Sequence, residues 1–337
     1  MLHILALVAG LQQPVVVAPE SGEVHLRNIR QLTFGGQNAE AYFSGSGRQL
    51  IFQRTPGDTG CDQQYIMNTD GSGLHRVSSG LGRTTCGYFF ARDTRIFYAS
   101  TEHVGAACPP RPDYSHGYVW ALYDYDITVA DSSGAHAVRL TDSPGYDAEG
   151  TLSPEGTTIV FTSLRDGDLD LYTMRTDGSH VKRLTDRLGY DGGAFFSRDG
   201  QWICWRAGYP ADSAVAVYRD LLSHHLVRPS SMDLWVMRAD GSGKRQVTRK
   251  PGASFAPYFT PDGRSLIYSS NWENPRGRNF DLYLVGIDGG EPVPVTRDPT
   301  FDGFPMFSPE GRWLVFSSNR GARTPGDTNL FLAEWRP

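Results

Sequence analysis

The chain has no basic run. Its 32 lysines and arginines are scattered and outnumbered by 37 acidic residues, giving a net charge of -5, so the electrostatic footprint of a nucleic-acid binder is missing. No Gly-x-Ser-x-Gly elbow, His-Glu-x-x-His helix or phosphate loop occurs, which excludes the hydrolase and nucleotide-binding classes that those motifs mark. Cysteine is scarce, with four in 337 residues and no Cys-x-x-Cys pair, so neither a zinc knuckle nor a thioredoxin-type motif is present. The nine histidines are dispersed; only His224 and His225 are adjacent, and neighbours on a helix diverge by roughly 100°, a poor grip for one metal. Beyond the first residues there is no apolar run of the ~20 residues that a bilayer span needs.

What is abundant is turn-forming residues. Glycine (38) and proline (21) make up about one residue in six, with 39% hydrophobic and 12% aromatic residues. That combination indicates a soluble globular chain of many short strands.

A turn recurs six times: Ser44 to Gly47, Ala91 to Thr94, Ser153 to Gly156, Ser197 to Gly200, Thr260 to Gly263 and Ser308 to Gly311. Each is followed by an alternating apolar strand such as Leu50-Ile51-Phe52 or Leu314-Val315-Phe316. A second turn of the Asp-Gly kind follows at Thr69 to Ser72, Thr176 to Ser179, Ala239 to Ser242 and Ile287 to Gly290, and Asp-Gly suits tight hairpins. A short outer strand ending in Thr or Ser then closes each unit: His75 to Ser78, Val138 to Thr141, Lys182 to Thr185, Arg245 to Thr248 and Val293 to Thr296. Units of about 45 residues with four antiparallel strands are propeller blades. The fold class is therefore all-β: a six-bladed β-propeller filling residues 29–337. The last unit lacks an outer strand, and an unmatched copy stands first, at Arg30–Thr33. Arg30–Thr33 is expected to complete the last blade and close the ring.

These repeated turns, with the Asp-Leu-Tyr-x-Met strand and the Asp-Gly hairpin, resemble TolB-type six-bladed propellers from about residue 29 to the end. TolB proper also carries an N-terminal α/β domain without counterpart here. The resemblance implies an envelope-located binding module, or a propeller attached to a peptidase.

Residues 1–28 read as a separate N-terminal segment. Leu2 to Leu11 resembles the apolar part of a secretory signal, but no Lys or Arg precedes it and Pro19 follows the best cleavage position, Ala18. A cleaved signal, a retained docking segment and a misplaced start all remain open.

Cys204 lies in an apolar strand and is expected as a buried free thiol. Cys61, Cys86 and Cys108 fall at one end of the ring, where one disulfide fits an oxidising compartment. Cys61–Cys86, joining adjacent blades, is the expected pair.

Six residues before each first turn stand Asn38, Thr85, Asp147, Asp191, Ser254 and Asp302, three of them preceded by Tyr146, Tyr190 and Phe301. They are expected around the channel mouth, either as turn caps or as a polar funnel for a partner or a cation. Asp126, Asp170, Asp233, Asp281 and Asn329 form a second ring at the start of the third strands.

Two insertions, 101–125 and 207–232, both join second to third strands and so share the face of that mouth. Ser213 to Val227 reads as a helix capped by Ser213, with Val217, Leu221 and Leu222 as its apolar stripe. The insertions are expected to form either a lid or a partner surface through Arg111, Tyr114, Tyr118, Trp120, Val217, Leu221, Arg219 and Arg228. Taken together, the residues indicate a non-enzymatic periplasmic propeller that scaffolds a protein partner, as an extrinsic subunit of a membrane complex, with no cofactor beyond an optional channel cation. A metal-dependent or peptidase-associated enzyme and a sugar-binding or self-assembling propeller are the alternatives.

Overall fold

The computed structural model describes residues 13–55 and 60–337. Six antiparallel sheets succeed one another around an axis. Blade one is built from Gln37–Phe43, Gln49–Thr55, Gln63–Asn68 and His75–Arg76. Blade two follows with Thr84–Phe90, Arg95–Ser100, Asp126–Asp131 and Val138–Arg139, and blade three with Asp147–Leu152, Thr158–Ser163, Asp170–Arg175 and Lys182–Arg183. Blade four uses Tyr190–Phe196, Trp202–Gly208, Asp233–Arg238 and Arg245–Gln246. Blade five uses Ser254–Phe259, Ser265–Ser270, Asp281–Gly286 and Val293–Pro294. Among the described residues no helix is long and apolar enough to cross a membrane.

Blade six joins both ends of the chain. Asp302–Phe307, Trp313–Ser318 and Asn329–Trp335 are completed by Leu26–Gln31, paired from Leu26↔Trp335 to Gln31↔Phe331. The closing strand thus starts earlier than Arg30–Thr33. Thr33 falls just past it, because its hydroxyl is needed elsewhere, as described next. A fifth strand, Val15–Val17, pairs with Ile29–Gln31 on the outside, so part of the segment read as separate from the propeller belongs to its last sheet. Residues 1–12 lie outside the described residues.

The Thr or Ser at the end of each outer strand works as a clasp. Thr141, Thr185, Thr248, Thr296 and Thr33 donate to Asp126, Asp170, Asp233, Asp281 and Asn329, and in blade one Ser78 donates to Gln63. The same hydroxyl accepts the next backbone N–H of the third strand, from Leu171 to Thr185 Oγ1 at 2.8 Å for example. Each clasp satisfies buried polar groups where the outer strand leaves the sheet. This is the physical reason for the repeated Thr and for the second acidic ring.

The first turns place their glycine in the left-handed region, with φ of 70°, 76°, 69°, 69° and 78° at Gly47, Gly156, Gly200, Gly263 and Gly311. Blade two lacks that glycine, and Asp93 takes the position with φ 66°, which Asp tolerates better than most residues. Its turn is offset by one residue from the sequence alignment. Thr84, not Thr85, faces Ser100 as Asp147 faces Ser163.

Candidate functional site

Every innermost strand carries one bulge. At each bulge one residue has a positive φ: Glu40, Cys86, Glu149, Gly193, Ala256 and Phe304, with values of 49–58°. A bulge bends the strand and re-aims a side chain. Here all six line one small axial chamber of about 20 Å³, room for little more than a water molecule.

The chamber holds a dense polar cluster. Arg206 Nη2 donates to Glu149 and to the Tyr190 hydroxyl. Glu149 also accepts from Tyr190, from Thr162 Oγ1 at 2.8 Å and from the Gly193 N–H at 2.8 Å. Gly193 has no alternative here, because Arg206 Nη1 occupies the space that a Cβ would need. Across the chamber the Cys86 thiol donates to Glu40 Oε2 at 3.0 Å. Burial pushes the Glu40 carboxyl up to about 7 and also raises the Cys86 thiol.

Below the chamber, Tyr42, Tyr88, Phe195, Tyr258 and Met306 narrow the axis. Tyr42 packs at a tilt against Tyr88 and Phe195, each at 5.6 Å between ring centroids, and Phe195 meets Tyr258 edge-on at 5.2 Å. On the far side of this layer a bowl of about 950 Å³ opens among the six first turns. Its wall includes Phe43, Phe90 and Phe307, and its rim carries Arg92, Glu155, Arg198, Pro154, Pro261 and Pro309.

Above the chamber the two insertions meet. Trp120–Ala121 pairs antiparallel with Leu226–Val227, over a cluster of Val119, Leu221 and Leu226. Trp120 stacks on the Arg206 guanidinium at 5.2 Å and edge-on to Tyr190 at 6.2 Å. The insertions form a lid, tied down by the Tyr218 hydroxyl on Asp168 and by a Cys61–Cys108 disulfide with a Cα separation of 5.7 Å. The helix is shorter than its sequence signals, Val215–Ser223 after a 3₁₀ turn at Asp212–Ala214, and Ser213 caps nothing because it lies inside that turn.

No protein-family model matches the sequence, and no curated protein does. Solved structures do. A putative TolB from Agrobacterium tumefaciens superposes with a TM-score of 0.58 at 18% identity, over 90% of this chain and 91% of that one. TolB from Acinetobacter baumannii gives 0.57 at 18%, over 89% of this chain and 63% of its own, so this chain spans less than two thirds of that protein. The fold is a TolB-like six-bladed propeller. A gluconolactonase from Xanthomonas campestris superposes equally well, at 0.60 with 14% identity over 96% and 95% of the two chains, so the likeness is one of fold and does not choose between binding and catalysis.

Within this TolB-like propeller the expected mouth residues are internal. Asp147 accepts from Arg165 Nη2 at 2.9 Å and from Ser143 at 2.6 Å. Asp191 is fully buried between Trp205 Nε1 at 2.6 Å and the Tyr209 hydroxyl at 2.7 Å, and burial raises it to about 7. Asp302 pairs with Arg320 at 2.8 Å, which in turn holds Glu23. Tyr146 and Tyr190 are buried, and Phe301 packs with Phe255, Phe280 and Phe304. These side chains brace the tops of the innermost strands. Of the insertion residues, Arg111, Tyr114, Tyr118, Val217, Arg219 and Arg228 are exposed on the lid. Leu221 is buried beneath it, and Trp120 is half-buried, packing on Arg206 with its ring while its Nε1 donates to the exposed Tyr118 hydroxyl.

The expected Cys61–Cys86 bridge is corrected: Cys61 joins Cys108, while Cys86 and Cys204 are free and buried. Cys86 is turned to the axis by its bulge, whereas Cys108 rides the insertion back to blade one. Glu40, Glu149 and Arg206 had no sequence signal except their fixed offset, two residues past the Asn38 and Asp147 ring in the case of the two acids. Among the described residues no three His, Cys, Asp or Glu side chains are grouped to hold a metal ion.

Proposed function

We propose that this propeller is a non-enzymatic protein-binding module of the cell envelope, an extrinsic subunit of a membrane complex, and that it seats a segment of its partner in the bowl opposite the lid. The observation that carries this reading is the asymmetry of the axis. One end is roofed by the paired insertions, while the other is an open bowl of about 950 Å³ with an aromatic floor. Aromatic anchors in a concave, partly desolvated pocket are where protein interfaces concentrate their affinity. The Cys61–Cys108 disulfide suits an oxidising compartment, and the TolB structures are similar in fold. The test is affinity isolation from detergent-solubilised envelopes with wild type and with Arg198→Glu plus Glu155→Arg on the rim. A partner retained by the first and lost by the second supports the bowl; equal retention refutes it.

The outer face of the lid supports a second reading. Tyr114, Tyr118, Val104 and Val217 are about half or more exposed there, which suits docking through the insertions instead. Tyr118→Ser in the same isolation separates the two faces.

A further inference from the structure

The Cys86 thiol and the Glu40 carboxylate form a pair for which the binding function has no use. Three observations bear on what they do. The thiol hydrogen bond to Glu40 Oε2, at 3.0 Å, is the geometry of a nucleophile beside its base. Arg206, about nine-tenths buried, lines the same chamber; its Nε has no hydrogen-bond partner, and only Nη2 is committed to Glu149 and Tyr190. The chamber, at about 20 Å³, admits only a molecule of one or two heavy atoms. Glu40 and Phe304 are half-buried, so the chamber is reached from their side, beyond the edge of the lid.

We propose that Cys86 is a modification site for small hydroperoxides, with hydrogen peroxide as the reagent that fits. Glu40 takes the proton from Cys86 as the sulfur attacks one peroxide oxygen. The S–O bond forms and the O–O bond breaks, leaving Cys86 as a sulfenic acid. The departing hydroxide, in the chamber that Arg206 lines, receives the proton from Glu40 and leaves as water. Sulfur is oxidised by two electrons and the peroxide is reduced to water; Cys86, Glu40 and Arg206 supply nucleophile, base and cation. Burial keeps the resting thiol protonated, so the base is required, and the thiol stays inert towards bulkier electrophiles. Cys204 is also buried, but its sulfur donates to the Pro257 carbonyl rather than to a carboxylate, which makes it an internal control.

The experiment exposes the folded, disulfide-intact protein to hydrogen peroxide for a set time, removes the peroxide with catalase, unfolds the protein in dimedone, and counts adducts at Cys86 and Cys204 by peptide mass spectrometry. The adduct is expected at Cys86 at least tenfold faster than at Cys204, and hardly at all with cumene hydroperoxide. Glu40→Gln is expected to slow it by ~10²-fold, with Glu40→Asp restoring part of the rate. In the wild type the rate should fall as pH drops through about 7, where Glu40 takes up its proton. The groups facing Glu40 are Cys86, Tyr42, Glu149, Arg206 and, farther away, Asp62, and none besides Glu40 is placed to receive the thiol proton. Equal labelling of Cys86 and Cys204, or a Cys86 rate indifferent to pH between 6 and 8, would overturn the proposal even if Glu40→Gln failed to fold.

Discussion

Tyr42 of blade one and Phe195 of blade four meet across the propeller axis, with ring centroids 5.6 Å apart. Two blades that are three steps apart in the ring thus touch, and the channel becomes two separate compartments. The upper one is small and charged, the lower one wide and aromatic. Phe195→Ala removes the meeting point. The expected result is a loss of ~3–5 kcal/mol in denaturant unfolding, with the chamber and the bowl joined into one tunnel in a crystal structure. A loss under ~1 kcal/mol would mean that the aromatic layer is loosely packed.

Ring closure gives a graded prediction. Among the described elements, a chain starting at residue 18 loses the outer strand Val15–Val17, whereas one starting at residue 34 also loses Leu26–Gln31 and the Thr33 clasp on Asn329. The first truncation should melt close to wild type. The second should melt far lower, because Asn329–Trp335 is left with an unpaired edge at the seam. Similar melting temperatures for the two would show that the closing strand is dispensable.

The blade count, the turn glycines, the closing of the ring by an N-terminal strand and the free Cys204 were legible in the sequence because each is a local or repeated signal. The Thr or Ser at the end of each outer strand was visible, but not as a clasp, since its partner lies 15 residues earlier in five blades and, for Thr33, at the other end of the chain. The chamber was illegible for a different reason. Glu40, Cys86 and Glu149 reach the axis only through bulges that put non-glycine residues at positive φ, and no residue preference announces that. Blade two shows the limit of alignment: with no glycine in its turn, the ring position slipped from Thr84 to Thr85. The disulfide was misassigned because Cys108 sits in an insertion whose path follows from tertiary packing against Leu226 and Val227.

Mapping the unreduced protein by mass spectrometry should show Cys61 linked to Cys108, with Cys86 and Cys204 as thiols. Closing a loop of 47 residues constrains the unfolded chain by ~4 kcal/mol in the entropic account. Cys108→Ser should therefore lower stability by up to that amount and speed proteolysis within 101–118. A Cys61–Cys86 peptide would contradict the lid.

Stability should fall as pH rises. Burial holds Asp191 and Glu40 at about 7 in the folded state, against roughly 4 when unfolded. Between those values the unfolded chain binds fewer protons, so the contribution is full below about pH 4 and is lost progressively as pH rises through about 7. Thermal unfolding should thus show a higher midpoint at pH 5.5 than at pH 8, and Asp191→Asn should flatten the slope. A midpoint that climbs from pH 5.5 to 8 in the wild type would contradict this assignment.

The central claim is that a protein partner enters the bowl. Site-specific photocrosslinking in cells tests it most directly, with the crosslinker at Arg198 on the rim and, in a second strain, at Tyr118 on the lid. The account predicts one discrete higher-mass adduct from position 198, absent from 118 and lost when Tyr258 on the floor is changed to Ala. An adduct from 118 alone, or none from either position, would contradict it.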